Sequence, residues 1–322
     1  SSPSRGLGDV YKRQVKIVNP KKVIPASVEF VDIAGLVEGA SKGEGLGNTF
    51  LSHIRETQTI IQVVRCFEDK NISHVNNKVD PLADVEIIET ELLLADLEIL
   101  EKVKINFNKK KSILDKSSKE KLEVIEEIIE LIKKSNRKKI SEISNEKKNL
   151  VKEYNLICLK PFIYVANIDE NNSEINIETL KNKVSKEGSE FITLSIKLES
   201  EISELDTDEK IIFLKEMGLE EPALERLIRK SYSSLGLGTF FTAGKEEVRA
   251  WVLKKGSLAP QAAGVIHSDF ERGFIKAEVV SFDDYISFNG EQGAKSAGKL
   301  RSEGSDYAVS YTHLRAHETV MN

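Results

Sequence analysis

Cysteine is scarce: two of the 322 residues, Cys66 and Cys158. They stand far apart in apolar surroundings. That excludes a disulfide framework and a cysteine-built metal site, and fits reduced core residues of a cytoplasmic protein. No run is long and apolar enough to span a membrane, no signal-peptide pattern is found, and no membrane partner is expected. An excess of positive charge is missing too. The formal net charge is −5, which argues against a surface that coats nucleic acid, and no DNA partner is expected. There is no internal repeat.

Hydrophobic periodicity is absent at both ends. Residues 1–14 (SSPSRGLGDVYKRQ) and 310–322 (SYTHLRAHETVMN) look like translated adaptor or vector sequence. They are read as a foreign leader and a foreign tail and set aside. His313 and His317 are spaced i,i+4, a zinc-ligand spacing on a helix, but they fall in that tail and no third ligand accompanies them.

The length suits two or three domains. Residues 15–82 read strand, loop, helix, strand, with a helix over Asn48 to Thr57 and a buried strand Ile60 to Val64. This alternation fits a parallel α/β sheet. After Pro81, Val85, Ile88, Leu92, Ala95 and Ile99 step by three and four, and Leu122, Ile125, Ile129 and Ile132 repeat the pattern. Two amphipathic helices joined by a polar turn make an antiparallel, coiled-coil hairpin over 83–156. Its tip, Lys109 to Lys111, is either a solvated turn or an RNA contact. The sheet resumes over 157–238, with strands at Pro161 to Ala166 and Phe191 to Leu194 and a broken helical region near Asp208 to Lys230. From about 239 short strands alternate with glycine turns, clearest at Glu247 to Val252 and Phe274 to Val279.

The most informative stretch is Val28 to Asn48. Val28 and Phe30 alternate with Glu29, and Val31 leads into Asp32, so the segment predicts a buried strand ending in a carboxylate. Asp32-Ile33-Ala34-Gly35 has the D-x-x-G form of a γ-phosphate sensor. The aspartate holds a magnesium-bound water, and the glycine lets its amide approach the phosphate. Four residues are a weak signal, but the glycine-rich continuation Leu36 to Asn48 closely resembles switch II of the Obg-like ATPase (YchF) family. The run from Phe240 to Val309 resembles a TGS domain, a small β-grasp fold, above all in Ala259 to His267 and Asp269 to Phe274. The resemblance extends from about Val15 to Val309. It implies an α/β P-loop nucleoside triphosphatase with an incomplete parallel sheet, an inserted helical hairpin and a C-terminal β-grasp domain over 239–309.

Asn167-Ile168-Asp169-Glu170 follows a strand, where such proteins read the base. The guanine-selective form is N-K-x-D, whose aspartate accepts from the guanine N1–H and 2-amino groups. Glu170 is one methylene longer and Ile168 replaces the lysine, so guanine selection weakens by on the order of 1–3 kcal/mol. The Asn167 amide can donate to adenine N7 and accept from its 6-amino group. Alone, the motif could be an Asn-rich loop. The family carries this N-x-x-E form, which implies ATP over GTP. Ser195-Ile196-Lys197 lies where the family has its second base loop, usually with a small middle residue. Ile196 departs from that.

Leu36 stands where many GTPases have a water-orienting glutamine, and leucine cannot hydrogen-bond. The resemblance points to His74, whose neutral imidazole could orient or deprotonate water near pH 7. The alternative is an ordinary loop histidine. His53 is read as structural. No G-x-x-x-x-G-K-[ST] occurs; Gly293 to Leu300 comes nearest and fails at Leu300, where a hydroxyl is needed. The P-loop and switch I are therefore expected to be missing, with the activity lost in this truncated chain. The function implied is a ribosome-associated ATPase that uses Mg2+ to convert ATP to ADP and phosphate. The implied partner is the ribosome, through its large subunit, contacted by the hairpin and the TGS domain. The alternatives are a GTPase of the Obg class and a non-catalytic ribosome or RNA-interaction module.

Overall fold

The computed structural model describes residues 16–33, 46–69, 71–72, 78–109, 115–169, 177–309 and 312–318. They form two compact units. One is Val31–Ser234; the other joins the described residues up to Phe30 to those from Leu235 onward. The first strand, β1 (Lys22–Ile24), belongs to the second unit.

The Val31–Ser234 unit runs α1 (Leu46–Glu56), β2 (Ile60–Arg65), α2 (Pro81–Lys109), α3 (Lys116–Lys133), α4 (Arg137–Ser141), α5 (Asn145–Leu150), β3 (Phe162–Asn167), α6 (Glu178–Lys186), β4 (Glu190–Leu194), α7 (Ile196–Glu204), α8 (Thr207–Glu216) and α9 (Ala223–Ser234). Strands β2, β3 and β4 form a parallel sheet in that order. Central β3 is buried on both faces, as the middle strand of a parallel sheet must be. Its side chains alternate between two cores. Phe162, Tyr164 and Ala166 face Leu51, Val64, Val85 and Leu92. Ile163 and Val165 face Ile192, Leu194 and Ala223. The broken helical region is α8 and α9, separated at Gly218, whose φ of +67° suits glycine.

Helices α2 and α3 make the expected hairpin. Ion pairs join Glu101 to Lys133 at 3.1 Å and Lys104 to Glu126 at 3.0 Å. The partner number falls as the first number rises, so the helices are antiparallel. Leu93, Leu100, Ile125, Ile128 and Ile132 fill the seam. Two buried carboxylates, seven residues apart on one face of α2, fasten the hairpin to the sheet. Asp96 takes the Arg55 guanidinium of α1 at 2.6 Å and the Cys158 N–H at 2.7 Å. Glu89 takes Lys183 of α6 at 2.6 Å and the hydroxyl of Tyr164 on β3. Removing one partner would strand a buried charge, at a cost of about 3–5 kcal/mol.

The second unit continues with β5 (Leu237–Ala243), β6 (Glu247–Lys254), α10 (Ala259–Ile266), α11 (Ser268–Arg272), β7 (Phe274–Ser281), α12 (Phe282–Ser287), α13 (Glu291–Ser296), β8 (Arg301–Glu303) and β9 (Thr312–Glu318). Its six strands are ordered β1-β6-β5-β9-β7-β8. Phe240, Trp251, Ala259, Ala262, Ala277 and Val279 form the core. Gly293 of α13 lies so close to Phe288 that a Cβ would collide with the Phe288 carbonyl. This packing accounts for a glycine in the run that resembles a phosphate loop.

Three expectations are corrected. Val28 to Asp32 is not a strand, and Phe30 and Val31 are 47% and 58% exposed. Alternation states a preference, but a strand exists only where a ladder offers partners, and this segment has none among the described residues. Lys22–Ile24, placed with the nucleotidase part, pairs instead with β6. The tail set aside from 310 onward supplies β9, which pairs with both β5 and β7. As strand residues, His313 and His317 are not one turn apart on a helix.

Candidate functional site

The three parallel strands end in register: Arg65 lies opposite Asn167, and Asn167 opposite Leu194. Loops that follow such ends gather at one edge, where open α/β sheets bind ligands. Here backbone bonds join them. The Cys66 N–H donates to the Asn167 carbonyl at 2.8 Å and the Ile168 N–H to the Leu194 carbonyl at 2.9 Å.

Asn167 and Ser195 meet at this edge. The Asn167 Oδ1 accepts the Ile196 N–H at 3.0 Å, which ties the loop after β3 to the start of α7. Ser195 is the N-cap of α7, its Oγ accepting the Leu198 N–H at 3.2 Å. One lone pair of the Asn167 carbonyl is thus committed to bracing the two loops. This narrows the expectation that the amide both donates to and accepts from a base. Ile168 is half-buried against the sheet core. Ile196, the departure from a small residue, is 47% exposed and turned out of that core.

Asp32 is exposed and joins neither loop among the described residues. Gly35, His74 and Glu170 lie outside the described residues. His53 is exposed on α1, so it is not a core histidine. Burial, helped by the Asp84 carboxylate, pushes the Cys66 thiol up to about 12. Burial also raises Cys158 well above its ordinary range. Both cysteines are free and buried, neutral near pH 7, and unsuited to nucleophilic or metal chemistry. No cluster of three His, Cys, Asp or Glu suited to a metal occurs among the described residues. A lone carboxylate still fits Mg2+, which keeps several waters and takes other ligands from phosphates, and Asp32 is such a carboxylate.

Sequence reasoning passed over Arg65. Its guanidinium donates to the carbonyls of Phe67 at 3.0 Å, Asp69 at 3.2 Å and Ile72 at 3.1 Å. A basic residue closing an apolar strand was the available signal. A cavity of about 560 Å³, lined by Thr242, Trp251, Phe270, Glu278 and Tyr285 among others, belongs to the second unit and contains none of the nucleotide candidates.

Two family models match the chain. One, MMR_HSR1, is described as a 50S ribosome-binding GTPase and matches residues 11–97. The other, YchF-GTPase_C, is described as a protein of unknown function (DUF933) and matches residues 237–314. The ribosome-binding ATPase YchF of Haemophilus influenzae is 49% identical over 296 residues, 91% of this chain and 82% of the relative. That of Bacillus subtilis is 47% identical over 306 residues, 94% and 84% of the two chains. Among solved structures, the YchF GTPase of Schizosaccharomyces pombe superimposes with a TM-score of 0.83 at 32% identity, covering 96% of this chain and 85% of that one.

Proposed function

The chain belongs to the YchF family, and on that premise we propose that it is a cytoplasmic, ribosome-associated ATPase in which the Asn167–Ser195 edge holds adenine. The observation that carries the proposal is the Asn167 Oδ1 to Ile196 N–H bond, which joins the two loops expected to read the base. The Asn167 amide N–H donates to the base, Ile168 supplies an apolar face, and Ser195 caps α7 beside it. Glu170, one methylene longer than the guanine-reading aspartate, carries its carboxylate past the guanine edge.

The phosphate chemistry belongs to Asp32, Gly35 and His74. Asp32 would hold a water of Mg2+, which supplies charge neutralisation on the phosphates when bound. The Gly35 amide senses the γ-phosphate. Leu36 offers no hydrogen bond, so a neutral His74 imidazole orients the attacking water and accepts its proton. The hairpin and the C-terminal unit, read as a TGS domain, are the surfaces proposed to meet the ribosome, on its large subunit.

A GTPase is the second reading, favoured by the likeness of residues 11–97 to a 50S ribosome-binding GTPase family and of the fold to the YchF GTPase of Schizosaccharomyces pombe. Calorimetry separates the two. The protein to use is an intact version, with a G-x-x-x-x-G-K-[ST] loop ahead of Val15. ATP should bind more tightly than GTP, and GTP at least about tenfold tighter would establish the second reading.

A further inference from the structure

One carboxylate holds α7 to its neighbour α9. Glu199, one turn after Ser195, donates its backbone N–H to the Ser195 carbonyl at 3.0 Å. Its side chain turns to α9, where Oε1 accepts the Ala223 N–H at 2.7 Å and Oε2 the Leu224 N–H at 3.0 Å. These are the first two amides of α9, donors with no partner inside their own helix. A carboxylate there gains two charge-assisted bonds and meets the positive end of the helix. α9 is itself seated on the sheet, with Ala223 buried among Ile163, Val165, Ile192 and Leu194. A second link lies on the other side of the loop. Arg226, one turn along α9, donates to the Thr193 carbonyl at 3.3 Å. The segment from Thr193 to Glu199 is thus tied to α9 at both ends. Between those ties the Ile196 N–H meets Asn167 Oδ1.

We propose that Glu199, with Arg226 as its counterpart, is a positioning residue for the base: by clamping α7 to α9 it fixes the Ile196 amide that orients the Asn167 side chain. The inference rests on the Asn167 amide donating to N7 of the purine. It adds that this donor is aimed by a carboxylate on the far side of α7's first turn. The two ends of an asparagine amide differ only in that one accepts and the other donates. While the Ile196 N–H holds Oδ1, the donor end is left for the ligand. With Ile196 displaced, the amide is free to turn over and oppose its oxygen to N7, itself an acceptor. A bond to the base is made alike in the ground state and the transition state, so its loss weakens binding and leaves kcat unchanged.

The test compares ATP with 7-deaza-ATP, in which a C–H replaces N7, by calorimetry on the intact ATPase and on Glu199→Gln. Glutamine keeps the shape of Glu199 but loses its charge and sets an amide nitrogen against one of the two N–H groups. The unaltered protein should bind ATP about fivefold more tightly than 7-deaza-ATP, the worth of one hydrogen bond. Glu199→Gln should lose most of that preference: ATP weakens by about threefold to fivefold, while 7-deaza-ATP stays within about twofold. Its kcat at saturating ATP should stay within about twofold. Hydrogen exchange at the Ile196 amide should speed up. Arg226→Ala, at an exposed position, should weaken ATP in the same direction by less and also spare 7-deaza-ATP. If the unaltered protein binds both nucleotides equally, the reading of Asn167 as an N7 donor falls and this inference with it. If it prefers ATP but Glu199→Gln keeps the full preference, or weakens both nucleotides equally, the positioning role alone is overturned. Should Glu199→Gln unfold, an unchanged ATP affinity in Arg226→Ala would also overturn it.

Discussion

Cys66 follows the last residue of β2 with no exposed surface, and burial pushes its thiol from an ordinary 9.0 up to about 12. Tyr285, in the other unit, is raised by burial from 10.0 to about 12. Both groups are neutral in the fold and ionise more easily once it opens. Their raised values therefore give stability that is complete below the unfolded values and lost as pH rises through the window up to about 12. Urea unfolding should show a midpoint that falls between about pH 8 and about pH 10.5. Cys66 accounts for at most about 2 kcal/mol of that loss, and Cys66→Ala should flatten the fall for the transition of the Val31–Ser234 unit. A midpoint that does not fall would mean the thiol and phenol are better solvated than their burial indicates. That both cysteines are inert core residues could be read from the apolar letters around them. The pairing of Arg55 with Asp96 could not, because 41 residues separate them and the burial that makes the pair matter exists only in the fold.

Among the elements, those whose pattern is local were legible. The hairpin is written in i,i+3 and i,i+4 steps, and α2 and α3 carry them as a single packed seam. β3 is a continuous apolar run and proves to be a central strand. Val28 to Asp32 has equally good strand letters, yet pairs with nothing among the described residues, because pairing is decided by partners distant in sequence. The weak pattern of residues 312–318 failed in the other direction: a strand set between two others in a sheet needs backbone groups more than it needs a particular side-chain alternation. At the far end of the hairpin, Lys109 closes α2, with Lys110 and Lys111 outside the described residues. If this turn meets ribosomal RNA, changing all three lysines to glutamate in the intact protein should weaken cosedimentation with ribosomes. It should also reduce the slope of affinity against salt by about one for each lost phosphate contact. Unchanged binding and an unchanged slope would assign the turn to solvent.

At the scale of the molecule, the division of the chain has a thermodynamic consequence. Asp32, Asn167, Ile168 and Ser195, with Gly35, His74 and Glu170 between them in sequence, all fall within Val31–Ser234. The other unit has cores of its own, around Phe240 and Trp251, around Phe241 and Phe282, and around Val280 and Tyr285. A ligand stabilises the structure that binds it and whatever unfolds cooperatively with that structure. At 100 times its dissociation constant it adds about 2.7 kcal/mol. In the intact protein, calorimetric heating should therefore resolve two transitions. Excess ATP with Mg2+ should raise the one belonging to the nucleotide unit by several degrees and leave the other where it was. The two can be assigned by substitution: Asp96→Asn leaves the Arg55 charge buried without its carboxylate and should lower only the transition that ATP moves. Two transitions that both shift with ATP, or a single one that carries both units, would mean that the C-terminal unit gains its stability from the nucleotide unit rather than from its own cores. Nucleotide occupancy would then be felt throughout the chain.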